Sequence, residues 1–158
     1  EYADCKVNGA YLLKNAHNDF TIELNHTVPH CTSTEKIKGA VGDAGNGAFQ
    51  GKIGVWKDAQ KTSAQMEHHS LILSDNAKIN AKPSLEIYAD DVECSHGNTF
   101  GALDEKALFY MRARGLSEAS AKNMLIHAFI EEAFDEVENP EVKDFYRAQT
   151  SRGLDGLL

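Results

Sequence analysis

The sequence predicts a mainly β fold, a right-handed parallel β-helix (β-solenoid) followed by a C-terminal α-helical domain. Short apolar runs with a period of two recur through residues 1–102, and glycine, asparagine and aspartate separate them. All arginines lie in residues 103–158, where the apolar spacing is helical. We therefore expect two domains, a β-helix core over 1–102 that is truncated at its N-terminus and a helical domain over 103–158.

The strand patterns begin at Phe20–Asn25, which alternates apolar and polar residues as a half-buried strand does. Further short runs, rich in small residues, follow at 37–41, 50–56, 71–73, 77–79 and 85–87. Short, evenly spaced strands suit stacked coils that each bury a narrow core against the next. An antiparallel sandwich is the alternative, although its hairpins favour longer strands and more two-residue turns. A left-handed hexapeptide repeat fits less well, because steps of six from Val41 meet few branched aliphatic residues.

The C-terminal part contains three helix patterns, each preceded by a residue that can cap a helix N-terminus. The caps and helices are Asp104 with 105–114, Ser117 with 118 to about 138, and Asn139 with a helix that begins at Pro140. The apolar stripe of the second helix is wider than one docking surface requires. It therefore predicts a second neighbour, either another helix or a partner protein.

Composition narrows the possible partners and the compartment. The chain of 158 residues carries 16 Lys and Arg against 24 Asp and Glu, a formal net charge of −8. This balance argues against nucleic acid and anionic membrane surfaces, and no apolar run approaches the roughly 20 residues of a membrane span. Three widely spaced cysteines form no disulfide framework and predict a reducing, cytoplasmic location. Because the chain opens without Met or a secretory signal, we expect it to be part of a longer protein.

Cys94 and His96 are the most pointed candidates for chemistry. If the segment around them is extended, they lie two residues apart and project from the same face of a strand. A thiolate beside an imidazole suits a soft or borderline metal such as iron or zinc. Counting alternation from Leu85 and Ile87 as inward predicts that the pair faces outward, unless the turn at Asp90-Asp91 breaks the register. The alternative is a buried cysteine that only packs, next to a surface histidine.

Other polar clusters have weaker patterns. His26, His30 and Cys31 surround a proline and are predicted to be turn residues. His68 and His69 are adjacent, so on a strand they point to opposite sides and cannot chelate one ion together. Asp90 and Asp91 allow a second function, a solenoid carbohydrate-active enzyme that uses this carboxylate pair, although an Asp-Asp in such a context is more often a turn.

One continuous stretch of the sequence resembles a known protein family. It begins at His68 and ends at Leu116, with the sequence HHSLILSDNAKINAKPSLEIYADDVECSHGNTFGALDEKALFYMRARGL. It resembles the C-terminal half of proteins of the SufB/SufD family of iron–sulfur cluster assembly. The Cys-Ser-His-Gly followed by Gly-Ala-Leu-Asp is similar to the SufD branch of the family rather than to the SufB branch. The similarity covers roughly residues 20–150.

The resemblance implies a β-helix with a helical C-terminal domain and a cytoplasmic complex. It implies pairing with a SufB-like paralogue through the β-helix and with a SufC-like ATPase through the helices. The candidate ATPase contacts are on the second helix, at Met124, Leu125, Ala128 and Phe129.

The resemblance also bears on the chemistry of the chain. It places Cys94 and His96 on a cluster-assembly motif, as candidate ligands of iron or of a cluster that is transient in the complex. It implies no enzyme activity of the chain alone and no intrinsic cofactor. An isolated chain could use the same β-helix edge to form a homodimer. A further hypothesis is an interaction module without metal chemistry.

Overall fold

The chain folds into stacked parallel strands followed by helices. The computed structural model describes residues 1–155 and 157, which contain seven strands in a β-solenoid of about three turns and three C-terminal α-helices. The strands are β1 (Asp4–Lys14), β2 (His17–His26), β3 (Thr32–Gly42), β4 (Asn46–Val55), β5 (Ser63–Ile72), β6 (Lys78–Ile87) and β7 (Glu93–Gly101). The helices are α1 (Glu105–Ala113), α2 (Glu118–Glu131), a 3-10 helix (Glu132–Phe134) and α3 (Pro140–Asp155).

The strands form two parallel sheets, which we name by their strand numbers. The odd sheet has the order β1-β3-β5-β7, and the even sheet has the order β2-β4-β6. Each strand pairs in register with the strand two places later in the chain, which is the pattern of successive coils. The predicted parallel solenoid is confirmed, and the antiparallel sandwich is wrong.

The observed strands are longer than the runs in the sequence that predicted them. The run at 77–79 overlaps the start of β6, the run at 85–87 forms its end, and none of the runs lies in β1. Small and polar residues on the inward face interrupt the apolar alternation, as Gly39 does within β3. The period-two signal is therefore visible only in fragments.

The inner core lies between the two sheets. Its buried strand residues occupy alternate positions, which point inward because successive residues of a strand face opposite sides of the sheet. These residues are Ile37, Phe49, Ile53, Val55, Ala64 and Met66, and Ala59 and Ala89 join the core from the turns between strands.

The helices dock on the outer face of the odd sheet. Ile126 and Ile130 of α2 are fully buried against Ala40 and Leu71 of the sheet. The 3-10 helix ends α2 earlier than predicted, and it turns Phe134 into this second core. Leu154 of α3 packs in the same core, so the second neighbour that the wide apolar stripe of α2 predicts is another helix of the chain.

An ion pair between a buried lysine and an exposed glutamate also links the sheet to the helical region. Lys38 projects from the outer face of β3, where it is almost fully buried and pairs with Glu132. Its ammonium group lies 4.2 Å from the centre of the Phe129 ring. A cation beside a desolvated aromatic face adds attraction to that of the ion pair.

The predicted helix caps are confirmed. Asp104 Oδ1 accepts hydrogen bonds from the backbone N–H groups of Lys106 and Ala107, at 2.8 and 3.3 Å. Ser117 and Asn139 accept equivalent bonds at the starts of α2 and α3. Among the described helices, none has both the length and the apolar character needed to cross a membrane.

Replacing Ile130 with Ala should detach the helices from the solenoid. Ile130 is 0% exposed, so the substitution leaves a cavity that costs about 2–5 kcal/mol. Met124, on the same helix but 53% exposed, is the matched control, and Met124→Ala should change the free energy of unfolding by less than about 0.5 kcal/mol. Urea denaturation measures both, and equal effects of the two variants would contradict the docking described here.

Candidate functional site

Strand β7 brings Cys94 and His96 onto one face. In the ladder with β5, Cys94 lies beside Ala64 and His96 beside Met66. Both β5 residues are buried inner-core members, so the shared face points toward the solenoid interior. The predicted common face is confirmed, and the predicted outward orientation is wrong. The physical reason is the turn over 88–92, which interrupts the strand and resets the alternation between β6 and β7.

The two side chains differ in exposure because β7 forms the last coil that the structure describes. Cys94 is half-buried and packs against the inner core, whereas His96 is exposed. In the described part of the odd sheet, β7 pairs on one side only, with β5. His96 therefore stands at the open end of the solenoid.

The surroundings of Cys94 favour the neutral thiol. Burial raises the pKa of Cys94, and a hydrogen bond with the backbone of Ala64 opposes this effect more weakly. A thiol with a raised pKa is a poor nucleophile at neutral pH, but a bound metal ion can displace its proton. Cys94 thus fits a metal ligand better than a nucleophile.

Two ligands do not complete a metal site. Within residues 1–155 and 157, no group of three or more His, Cys, Asp or Glu side chains is arranged to hold a metal ion. Iron–sulfur clusters and structural zinc ions take four protein ligands. Any cluster bound at Cys94 and His96 therefore requires ligands from outside the described part of this chain.

The side chains of His26, His30 and Cys31 do not form a common site. His26 is buried, and its Nε2 lies 2.9 Å from Ser33 Oγ, while burial lowers its pKa. His30 instead stacks on Tyr2 at the surface, with ring centres 5.1 Å apart. Cys31 is buried, and its thiol donates to the carbonyl of Pro29 in the turn after β2. The predicted turn is confirmed for His30 and Cys31, whereas for His26 it is wrong, because His26 is the last residue of β2. The three side chains lie in separate surroundings.

The remaining pairs follow their sequence patterns. His68 lies fully inside the solenoid, whereas His69 contacts Thr99 on the outer face, so the two do not chelate one ion. Asp90 and Asp91 lie in the turn before β7, and Asp91 forms an ion pair with Lys61. The ion pair helps to hold the turn, as the alternative interpretation of the Asp-Asp sequence predicts.

Sequence reasoning missed a carboxylic acid inside the solenoid. Glu35 projects inward from β3 and is 0% exposed, and neither carboxyl oxygen has a hydrogen-bond partner among the described residues. Desolvation raises its pKa to about 7. The sequence could have indicated its inward position, because Glu35 lies two residues before Ile37 and therefore on the same face of a strand.

Comparison with known proteins identifies relatives along nearly the whole chain. Residues 1–129 match the family model described as SUF system FeS cluster assembly, SufBD core domain. The chain is 36% identical to the iron-sulfur cluster assembly protein SufD of Escherichia coli over 157 residues, which cover 99% of this chain and 37% of that protein. It is 43% identical over 117 residues to an iron-sulfur cluster assembly SufBD family protein of Synechocystis, covering 74% of this chain and 25% of that protein.

A plant relative shows similar coverage. The chain is 36% identical over 146 residues to protein ABCI7, chloroplastic, of Arabidopsis thaliana, covering 89% of this chain and 30% of that protein. The chain thus spans a quarter to just over a third of the length of these relatives.

Glu35 should make the stability of the fold fall as the pH rises. Its folded-state pKa of about 7 lies above the ordinary value of 4.5, so the folded state keeps a proton that the unfolded state releases. This contribution is fully present below about pH 4.5 and is lost as the pH rises through 7. Glu35→Gln should remove the decline, as measured by urea denaturation of both proteins across pH 4.5–8. The difference between the two proteins cancels the titration of His26 and His68, and a constant difference across this range would contradict the assignment.

Proposed function

Because the chain belongs to the SufBD family of the SUF iron–sulfur cluster assembly system, we propose that it acts as a SufD-type scaffold subunit. In this proposal it pairs with a SufB-like paralogue through the solenoid and binds a SufC-like ATPase through its helices. The iron–sulfur cluster is the cargo of the complex rather than a resident cofactor, and the chain is not an enzyme by itself.

The observation that carries the proposal is the position of Cys94 and His96. They share one face at the open end of the terminal coil and supply at most two of the ligands that a cluster needs. A partner seated at this end could supply the others. The site would then be complete only in the complex, as a scaffold subunit requires.

The terminal coil has features suited to such a partner. No strand among the described residues pairs with the outer edge of β7, and a strand of a partner can extend a sheet at such an edge by β-augmentation. Phe100 on β7 exposes apolar surface, as do Ile87 at the end of β6 and Tyr88 in the turn between the two strands. A SufB-like solenoid is the proposed occupant, and a second copy of this chain is the occupant to be tested when the chain is isolated.

The ATPase contact is assigned to the outer side of α2. Met124 and Ala128 are exposed there and Leu125 is partly exposed, so these three remain free to bind. Phe129 has a different role, because its ring already contacts the ammonium group of Lys38 and packs in the second core. Exposed aromatic side chains on α1, Phe109 and Tyr110, enlarge the apolar surface of the helical region.

The proposed compartment is the reducing cytoplasm. Cys5, Cys31 and Cys94 are all free thiols, and they form no disulfide with one another. Free thiols persist where the cell keeps cysteine reduced.

His96→Ala should reduce cluster formation by the complex with SufB-like and SufC-like partners by about tenfold or more, because it removes a candidate ligand. The exposed side chain packs little, so the melting temperature should change little. Cluster absorbance and thermal unfolding provide the two measurements. The matched control is His69→Ala, on the outer face of the adjacent strand, which should retain wild-type assembly. A folded His96→Ala chain that binds both partners and still assembles clusters at the wild-type rate would refute the assigned site.

Met124→Asp should weaken ATPase binding by at least about tenfold, because it places a charge within an apolar contact. Gln149→Asp adds the same charge on α3, away from the proposed contact, and should leave the affinity unchanged. Titration calorimetry with the SufC-like ATPase distinguishes them. Equal affinities for both variants would move the contact away from α2.

A further inference from the structure

A chain of polar side chains crosses the interior of the solenoid. Tyr11 Oη lies 2.9 Å from His68 Nε2 and 3.0 Å from Ser70 Oγ. On its other side, His68 Nδ1 lies 2.8 Å from Asn98 Oδ1. The chain therefore links β1, β5 and β7, the first and the last strands of the odd sheet.

The hydrogen bonds define the form of His68. Asn98 Oδ1 can only accept, so His68 Nδ1–H is the donor. Nε2 of the neutral ring then accepts from the hydroxyl of Tyr11 or Ser70. Burial lowers the pKa of His68, which keeps the ring neutral.

The surroundings hold the imidazole ring in place. His68 is 0% exposed and stacks on Phe49, with ring centres 4.6 Å apart and an interplanar angle of 6°. Tyr11 reaches it across β3 only because residue 39 is glycine, where a Cβ atom would lie 2.1 Å from the Tyr11 ring. The backbone of β3 is thus shaped to admit this contact.

His68 holds the strand that carries the candidate site. The two inward residues that follow His96 on β7 are Asn98 and Phe100, and both contact His68. Asn98 forms a hydrogen bond with it, and the Phe100 ring packs edge-on against it with ring centres 6.2 Å apart. Cys94, before His96, packs in the inner core. Within the described residues β7 pairs on one side only, so no second strand holds it in the sheet and these inward contacts supply the restraint.

We propose that His68 is a positioning residue for His96. By holding Asn98 and Phe100, it fixes the pleat of β7 so that the His96 imidazole projects from the open end of the solenoid. This inference rests on the proposed function, since it assigns His68 a role in the same cluster-assembly site. It acts through β7 and does not itself contact the cluster.

The strand offers a matched pair of variants. Asn98→Ala removes the inner hydrogen bond to His68, and Thr99→Ala removes the outer one to His69, at 2.7 Å, from the same strand. Asn98→Asp retains an oxygen acceptor for Nδ1–H and is the conservative rescue. His68→Phe keeps a flat ring on Phe49 but loses both hydrogen bonds.

Two measurements on the full chain test the proposal. Hydrogen exchange of the amides of residues 95–99 should become about tenfold faster in Asn98→Ala and His68→Phe but not in Thr99→Ala. In the complex with SufB-like and SufC-like partners, the same two variants should lose about tenfold in cluster formation, which is the lower end of the loss expected when a partner that orients a metal ligand is removed. Asn98→Asp should restore both.

The outcomes separate the two proposals. Unchanged exchange in Asn98→Ala overturns the positioning role. Faster exchange with wild-type assembly also overturns it, provided that His96→Ala abolishes assembly. A failure of Asn98→Asp to restore assembly when exchange is normal overturns it as well. Wild-type assembly by His96→Ala refutes the proposed site, while the exchange data still decide whether His68 holds β7.

Discussion

The in-register parallel stacking of coils is the constraint on which the rest of the structure depends. The hydrogen-bond ladder places each residue beside its equivalent one coil away, so one inward residue fixes the direction of a whole row. Cys94 points inward because Ala64 does, and Asn98 lies on His68 for the same reason. The geometry of the candidate site is therefore inherited from the preceding coil rather than built by β7 alone.

The two sheets share this constraint but fill the interior differently. The even sheet contributes mainly apolar side chains, such as Phe49 and Ile53, whereas the odd sheet buries Glu35, His68 and Ser70. Buried polar groups cost stability unless they are paired. His68 and Ser70 are paired, and Glu35 has no hydrogen-bond partner among the described residues, so the odd sheet combines a satisfied network with one carboxyl whose pKa is raised by burial. The network of His68 and Ser70 suits a scaffold that presents residues at its end, because a hydrogen-bonded network holds these side chains in one geometry.

The helices cover one part of the solenoid surface, and the end of the solenoid at β7 stays uncovered by the described residues. The second core and the Lys38–Glu132 pair cover the outer face of the odd sheet over its early strands. At the other end, no described strand pairs with the outer edge of β7, and exposed apolar side chains lie near it. The proposed partner would bind at this end, away from the surface that the helices of the chain cover.

The sequence by itself determined that residues 1–102 are rich in strands, where the helices start, and that Cys94 and His96 share a face. These features depend on local rules, namely period-two alternation, the hydrogen bonds of caps such as Asp104, and the spacing of two residues on one strand. The choice of a solenoid over an antiparallel sandwich rested on the short, evenly spaced runs and on the resemblance to the SufB/SufD family. Only the tertiary structure decided which way that face points, because the turn at Asp90-Asp91 resets an alternation that local counting carries through. It alone placed Ile130 against the sheet and left Met124 exposed, although both belong to one apolar stripe. It alone also joined Tyr11 to His68 across 57 residues of sequence, since that contact depends on how coils stack and on the space above a glycine in the strand between them.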